Sequence, residues 1–293
     1  MSSPVPAPHD VLVPSGPEAA RPGLLPRLGA EAFGTLFIVV AGLGVPLFTI
    51  PDSSPLPAAL AAGLAVTAGM LAFAHVSGGH FNPAITLGHL VAGRIRAGAA
   101  AAYVGAQLAG GLAGALALYG ILRTLPGIAD SRTAFDTVTA GFGEHSIIQA
   151  PLAAVLLLEM LGAAIVVAVF LGTSGRDTRD GGIRSAAPVA VGLTFAVLLQ
   201  LGQSVGNLPF NPARAVASAV FSSGWAVGQL WVFLAAPLLG AAIAGLVFRS
   251  IGAAGTGAVV QAGTGEANEA GEPAETAEPG SSEAQEFFDG KRG

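Results

Sequence analysis

Residues 77–84 read Ser-Gly-Gly-His-Phe-Asn-Pro-Ala, and residues 207–214 read Asn-Leu-Pro-Phe-Asn-Pro-Ala-Arg. Each stretch interrupts a long apolar run and is followed by a shorter one. Asn is among the best helix N-caps and Pro is favoured at the first helical position, so each Asn-Pro-Ala predicts the start of a helix. A single triplet is usually an ordinary loop-to-helix turn. Two copies, with Asn82 and Asn211 129 positions apart, indicate an internal repeat.

The composition tells which solvent surrounds these helices. The 293 residues are 52% hydrophobic and 11% charged, with 42 Gly and no Cys, and the mean hydropathy is +0.67. A typical globular chain is about 25% charged, so this chain cannot cover a water-facing surface. Glycines spaced like Gly110 and Gly114 are typical of membrane helices that pack closely. The lack of Cys excludes disulfides, thiolate metal sites and thiol nucleophiles. The sequence predicts an all-α membrane protein.

The intervals between charged residues predict six transmembrane helices and two re-entrant half-helices. A bilayer core requires about 20 apolar residues per helix. Spans are therefore expected near residues 27–48, 57–76, 98–121, 148–171, 186–205 and 226–249. The apolar pieces that begin at Asn82 and Asn211 end near Val91 and Phe221. About ten residues make about 15 Å of helix, which reaches only halfway across.

A second pair of motifs supports duplication. Glu-Ala-Phe-Gly at 31–34 and Glu-Met-Leu-Gly at 159–162 are 128 positions apart, and each begins an apolar span. Because each half has three spans, an odd number, the second half is expected to be inverted relative to the first. Inverted repeats with broken helices place a permeation or binding site where the half-helices meet. Broken backbone at membrane depth is tolerated where it lines a cavity or is buried in protein, so we expect a polar route through the bundle.

The two capping Asn residues also predict the chemistry at the centre. As a cap, each Asn accepts a backbone N–H through its side-chain oxygen, which leaves its amide N–H groups as outward-facing donors. Two helix starts from opposite sides add two positive dipole ends. Water or an alcohol oxygen accepts such hydrogen bonds, whereas a cation is repelled. Arg214 directly follows the second motif, and because a charge at bilayer depth is costly, we expect it to face the pore.

These motifs resemble those of the major intrinsic proteins, the aquaporin and glycerol-facilitator family. The similar stretches are SGGHFNPA (77–84), FNPAR (210–214), GFGEHS (141–146), AEAFGT (30–35) and GWAVGQLW (224–231). The last three look most like the bacterial water-channel branch. The resemblance implies an aquaporin-like inverted 3+3 repeat, a homotetramer of independently conducting protomers in the plasma (cytoplasmic) membrane, no cofactor, no metal and no nucleic-acid partner.

The domain boundaries follow from composition and from the resemblance. We predict a channel domain at 27–250, with repeat halves at about 27–122 and 148–250. The Pro-rich residues 1–26 and the acidic residues 251–293 have little to bury, so we expect both segments to be disordered. By the positive-inside rule, both termini are expected in the cytoplasm. The basic residues assigned to that side are Arg21, Arg27, Arg94, Arg96, Arg176, Arg179, Arg184 and Arg249, against Arg123 and Arg132 on the other.

The resemblance assigns candidate site residues by position. The pore motifs are Asn82, Pro83, Ala84, Asn211, Pro212 and Ala213. Counting back from the two Asn residues places Ala62, Leu199 and Leu208 in the selectivity filter with Arg214. Glu31 and Glu159 match acids that accept hydrogen bonds from the re-entrant loops, and His75 and His80 are candidate pore-lining residues.

Three filter positions depart from both branches of the family. Ala62 stands where water channels have Phe and glycerol facilitators Trp, and Leu199 stands where they have His and Gly. Leu208 replaces a small or polar residue in the first group and an aromatic residue in the second. Loss of the Phe is expected to widen the ring, and loss of the His removes its polar edge. We therefore predict passive, bidirectional conduction of water and small neutral solutes such as glycerol, urea, ammonia or hydrogen peroxide, with protons and ions excluded.

Other functions fit less well. A glycerol-facilitator-type channel with little water selectivity is the nearest alternative. A coupled secondary transporter also uses inverted repeats and broken helices, but it normally needs carboxylates at its site, and Glu31 and Glu159 do not adjoin the Asn-Pro-Ala motifs. An enzyme is not expected, because the sequence contains no nucleophile–base or metal-binding motif.

Overall fold

The computed structural model of the protein describes residues 22–49, 56–174 and 181–268, with side chains from 186 to 252 in the last range. All regular secondary structure within these ranges is helical. The α-helices are α1 (Leu24–Phe48), α2 (Ala58–Ser77), α3 (Pro83–Val91), α4 (Ala97–Leu122), α5 (Ser131–Asp136), α6 (Leu152–Thr173), α7 (Gly181–Gly206), α8 (Pro212–Phe221) and α9 (Gly224–Asn268). A 3-10 turn covers Gly143–His145.

Six of these helices are long and apolar enough to cross a membrane. They comprise α1, α2, α4 and α6, with the parts Ala186–Gly206 of α7 and Gly224–Gly252 of α9. Their outer faces expose large apolar side chains such as Leu71 (63%) and Val197 (68%), as a surface in contact with lipid requires. The helices α3 and α8 have only 9 and 10 residues. The predicted six spans and two half-helices are confirmed.

Close backbone contacts between spans occur at glycines in equivalent places of the two halves. In the first half, a Cβ added at Gly110 of α4 would overlap the carbonyl oxygen of Ala32 on α1. In the second half, a Cβ added at Gly240 of α9 would overlap the carbonyl oxygen of Met160 on α6. Small residues let helix backbones approach closely in a membrane, so these glycines fix the packing within each half.

The chain divides into two units, residues 1–249 and 250–293. Helix α9 continues to Asn268, past residue 250, where the sequence analysis ends the channel domain. Residues 1–21 and 269–293 lie outside the described residues. The predicted domain boundaries and the disorder of both ends therefore stay expectations.

Candidate functional site

Both half-helices begin at the Asn of an Asn-Pro-Ala motif. The Asn82 side-chain oxygen accepts a hydrogen bond from the Ala84 N–H at 2.8 Å, and the Asn211 oxygen accepts one from the Ala213 N–H at 2.9 Å. In each motif the Pro stands in the first turn, where a missing N–H costs nothing. The local sequence is therefore sufficient to start each half-helix.

The two starts meet through reciprocal hydrogen bonds. The Asn82 amide donates to the carbonyl of Phe210 at 2.9 Å, and the Asn211 amide donates to the carbonyl of Phe81 at 3.0 Å. The expectation that both amide N–H groups of each Asn face outward is thus wrong for one of them. Because each helix start lies against the loop of the opposite half, one N–H of each Asn joins the halves. The second N–H of each amide remains as a donor.

Glu31 supports the loop that leads into α3. Its fully buried carboxylate accepts hydrogen bonds from the Ser77 hydroxyl at 2.6 Å, the His80 N–H at 3.0 Å and the Phe81 N–H at 2.7 Å. The Gln107 amide on α4 donates a fourth at 2.8 Å. Charge-assisted hydrogen bonds are stronger than neutral ones, so this carboxylate ties the loop to both α1 and α4.

Glu159 occupies the equivalent place in the second half and makes fewer hydrogen bonds. One carboxylate oxygen accepts from the Phe210 N–H at 2.8 Å. The other oxygen is buried and has no hydrogen-bond partner among the described residues. The two halves therefore use the same acid at the same point of the backbone, but with unequal support.

Phe81 and Phe210 adopt backbone conformations that non-Gly residues rarely adopt. Their φ angles are +49° and +48°, in the left-handed region, where such residues are strained by about 1–3 kcal/mol. Each N–H is held by a glutamate. A Cβ added at Gly34 would overlap the Phe81 ring, and one added at Gly162 would overlap the Phe210 ring.

The Glu-x-x-Gly motif thus has two functions in each half. Its Glu holds the strained backbone of the Phe before the Asn, and its Gly leaves room for the ring of that Phe. The sequence motifs predicted the role of the glutamates but not this role of Gly34 and Gly162. The equal spacing of the two motifs was the available signal.

Arg214, Ala62 and Leu199 come together at two adjoining cavities. The outer cavity has a volume of about 60 Å³ and the inner cavity about 10 Å³. Gly42 and these three filter candidates line both cavities. The remaining residues of the outer wall are Pro46, Ala58, Ala59, Thr137, Val138, Gln203 and Asn207. Those of the inner wall are Ile38, Val66, Phe195, Pro209 and Asn211. About 10–15 Å³ suffices for one water, so the inner cavity is of single-water size.

The guanidinium of Arg214 supplies the positive charge at these cavities. Its side chain is partly buried, and one terminal N–H group lies 3.5 Å from the carbonyl oxygen of Gly42. Its Nε has no hydrogen-bond partner among the described residues. Since Arg has five N–H donors and no acceptor, the group retains donors for an oxygen atom in the cavity.

Leu208 does not line either of these two cavities. Its side chain is fully buried and packs against the end of α7, where a Cβ added at Gly202 would lie 2.7 Å from the Leu208 Cβ. Counting residues located its position in the chain but not the direction of its side chain. Phe195, which the sequence analysis did not single out, lines the inner cavity instead.

The two candidate histidines differ in environment. His75 is exposed on α2. His80 is buried, with Nδ1 3.1 Å from the Thr86 hydroxyl and its ring centre 4.2 Å from that of His89. Neither lines the two cavities at Arg214, so a pore-lining role for either stays a prediction. Within the described ranges, no group of three or more acidic, His or Cys side chains is placed to hold a metal ion.

Asp136 anchors the connecting segment that borders the outer cavity. Its carboxylate accepts hydrogen bonds from the Ser222 hydroxyl, from the Ser223 N–H at 2.9 Å and from the Ser223 hydroxyl at 2.7 Å. Burial raises the pKa of Asp136, but these hydrogen bonds favour the charged form and hold the pKa below its usual value. The next two residues, Thr137 and Val138, are thereby held at the cavity wall.

Comparison with known proteins places this arrangement in a family. The family model described as major intrinsic protein matches residues 18–248. Aquaporin Z of Photorhabdus laumondii is 34% identical over 235 residues, which are 77% of this chain and 97% of that relative. Among solved structures, the aquaglyceroporin from Plasmodium falciparum is similar with a TM-score of 0.64 at 20% identity, over 78% of this chain and 96% of that one. This likeness supports the predicted aquaporin-like fold. The chain belongs to the major intrinsic protein family.

Proposed function

We propose that this protein is a membrane channel that conducts water and small neutral solutes passively in both directions. The observation that carries the proposal is a cavity of about 10 Å³ lined by Arg214 and Asn211 at the start of α8. Arg214 and the Asn211 amide offer N–H donors to a passing oxygen atom. Leu199 and Phe195 of α7 line the same cavity and make part of its wall apolar, so a water molecule is oriented without being held tightly.

The same arrangement opposes the passage of ions and protons. The Arg214 charge and the N-terminal ends of α3 and α8 are all positive. No carboxylate is among the described residues that line the two cavities. A cation would lose its hydration shell against an apolar wall and receive no compensating charge. Glu31 and Glu159 are buried and accept hydrogen bonds from the loops, and neither lines the two cavities. This placement fits loop support better than a coupling-ion site of a secondary transporter.

The wall of the inner cavity bears on the choice of solute. Ala62 and Leu199 make the ring more apolar than that of a strict water filter, which leaves glycerol, urea, ammonia and hydrogen peroxide as candidate solutes. The small volume of the cavity favours water over the glycerol-facilitator alternative. The relative at 34% identity is named as an aquaporin, which agrees with water as the main permeant.

Proteoliposomes examined by stopped-flow light scattering test the proposal. Vesicles that contain the protein should shrink much faster than empty vesicles under an impermeant osmotic gradient. Gradients of glycerol and urea then measure solute entry. Permeability to water, glycerol and urea equal to that of empty vesicles would reject the channel, and accumulation of a solute against its gradient would indicate a coupled transporter.

We also propose a homotetramer in the plasma membrane with both termini in the cytoplasm. The charge distribution in the connections supports this orientation. Because the chain has no Cys, single cysteines report topology without background. Gly98→Cys and Thr124→Cys lie at opposite ends of α4 (Ala97–Leu122). An impermeant maleimide added to intact cells should label only the Thr124→Cys variant, and the reverse pattern would invert the topology. Light scattering on the detergent-solubilised protein measures the oligomeric state.

A further inference from the structure

Phe195 on α7 lines the same inner cavity as the half-helix residues Asn211 and Arg214. We propose that its phenyl ring sets the upper size limit for solutes, in place of the aromatic side chain that is absent at Ala62. The inference rests on the proposed channel function and deepens it. It assigns size selection to a residue that neither the motifs nor their spacing identified.

The contact between α2 and α7 brings Ala62 and Phe195 to the same level of the helix bundle. A Cβ added at Gly63 would lie 2.5 Å from the carbonyl oxygen of Gly192 and 2.6 Å from the Cβ of Ala196. Gly63 directly follows Ala62 and Ala196 directly follows Phe195. The backbones therefore touch beside the cavity. With so little space between the helices, the small side chain of Ala62 and the large ring of Phe195 share one section of the wall.

The size of the inner cavity indicates that the Phe195 ring narrows it. Loss of an aromatic residue at position 62 was expected to widen the selectivity filter. The inner cavity that Ala62 lines nevertheless measures only about 10 Å³, which is room for about one water. Phe195 is 5% exposed and belongs to the same hydrophobic cluster as Ala62, Val66 and Leu199. The Phe195 phenyl ring is therefore confined by packing on the sides that do not face the cavity. It narrows the cavity at the place where the small Ala62 side chain leaves space.

A ring that fills this space discriminates by size and not by polarity. Water fits a space of this volume, whereas glycerol is comparable in size to the phenyl ring itself. Replacing the ring with a methyl group should therefore admit glycerol while leaving the Arg214 and Asn211 donors in place. Because those donors remain, the exclusion of ions should persist in such a variant.

The test compares Phe195→Ala and Phe195→Leu with the parent in proteoliposomes and measures the ratio of glycerol to water permeability. We expect Phe195→Ala to raise this ratio about ten-fold, the scale on which small differences in solute size are discriminated by an apolar wall. Phe195→Leu should give an intermediate ratio. Phe233→Ala is the matched control, because Phe233 is buried in the same cluster but does not line either cavity.

A compensating variant separates size selection from a general loosening of the core. Adding Ala62→Phe to Phe195→Ala should return the ratio toward that of the parent, since it restores a ring to the same section of the wall. If the parent conducts water but Phe195→Ala leaves the ratio unchanged, or Phe233→Ala raises it equally, the assignment to Phe195 is wrong. If Phe195→Ala does not fold, the Phe195→Leu ratio decides alone. A parent without permeability would reject the channel itself, which is a distinguishable result.

Discussion

At the scale of single residues, the structure gives the charged groups in the bundle separate tasks. Glu31 accepts four hydrogen bonds from one re-entrant loop and from α4. Glu159 accepts one from the other loop. Arg214 has no such set of partners and lines both cavities. Equivalent positions in a duplicated chain thus differ in how strongly they are held, and the difference can be measured.

The isosteric replacements Glu31→Gln and Glu159→Gln should lower the free energy of unfolding by different amounts. In Glu31→Gln an amide N–H₂ faces donors that a carboxylate oxygen accepted, so we expect a loss of about 3 kcal/mol or more in the free energy of unfolding. In Glu159→Gln the oxygen that accepts from Phe210 can remain, and the expected loss is about 1 kcal/mol or less. Thermal unfolding of the detergent-solubilised variants measures the two losses. Equal losses in the free energy of unfolding would contradict the unequal hydrogen bonding of the two glutamates.

Removal of the Arg214 charge should weaken the exclusion of cations. We expect Arg214→Ala vesicles to pass protons or small cations at a rate above that of the parent, because the permanent positive charge at the inner cavity is lost. A pH-sensitive dye inside the vesicles measures the leak. Arg123→Ala, at an exposed position after α4, is the control. An equal leak of protons or cations in the parent and in Arg214→Ala would show that Arg214 does not contribute to their exclusion.

At the scale of elements, the half-helices are short helices held by strained starts. Each begins after a Phe with a left-handed backbone, and each Phe ring lies against a Gly of the span that carries its glutamate. Two half-helices of 9 and 10 residues do not reach across a membrane alone. Their paired Asn–carbonyl hydrogen bonds join them at the centre. The stability of this region therefore depends on contacts with α1 and α6 more than on helix propensity.

Substitution of the glycine under the Phe81 ring should damage this contact. In Gly34→Ala the added methyl overlaps the ring, and overpacking of this kind costs about 1–3 kcal/mol. Gly29→Ala on the same helix places a methyl where no atom lies within 4 Å, so stability should be unchanged or slightly higher. Thermal unfolding compares the two. A tolerated Gly34→Ala would show that the ring has space to move.

Asp136 makes the anchoring of the connecting segment depend on pH. Its pKa is held below the usual value, so the charged form is favoured by folding and its contribution is present at neutral pH and lost as the pH falls through the lowered pKa. We expect Asp136→Asn to lower the unfolding free energy at pH 7 by about 1–2 kcal/mol. The gap to the parent should shrink below about pH 4.

Asp130→Asn provides the control for this effect. Asp130 caps α5, and Asn is an equally good cap. Hydrogen bonds from the Thr133 hydroxyl and the Arg132 N–H also hold the pKa of Asp130 below its usual value. Because this carboxylate is exposed, the pH-dependent gap should be much smaller than that of Asp136→Asn. Thermal unfolding at several pH values measures all three proteins. A gap between the parent and Asp136→Asn that stays constant down to acid pH would contradict the charge-dependent anchor.

At the scale of the whole molecule, the sequence predicted the architecture well because its determinants are local. The length of apolar intervals counts the spans, and the Asn-Pro pair defines both half-helix starts. The inversion follows from three spans per half. The wall of the cavity was less predictable, since the way α7 packs against α2 decides which residues of α7, Phe195 among them, line the cavity. Leu208 turns toward Gly202 in an irregular stretch, where residue counting carries no directional information.

The central claim is that water passes through the cavity between Arg214 and Leu199. Stopped-flow osmotic permeability of vesicles that contain Leu199→Trp tests it most directly, because the larger side chain has no room in a cavity of about 10 Å³. Leu201→Trp is the control, since Leu201 on the same helix is 54% exposed. The parent and Leu201→Trp should conduct water well above empty vesicles. The water permeability of Leu199→Trp vesicles should fall to that of empty vesicles. A folded Leu199→Trp variant that conducts water like the parent would contradict the account.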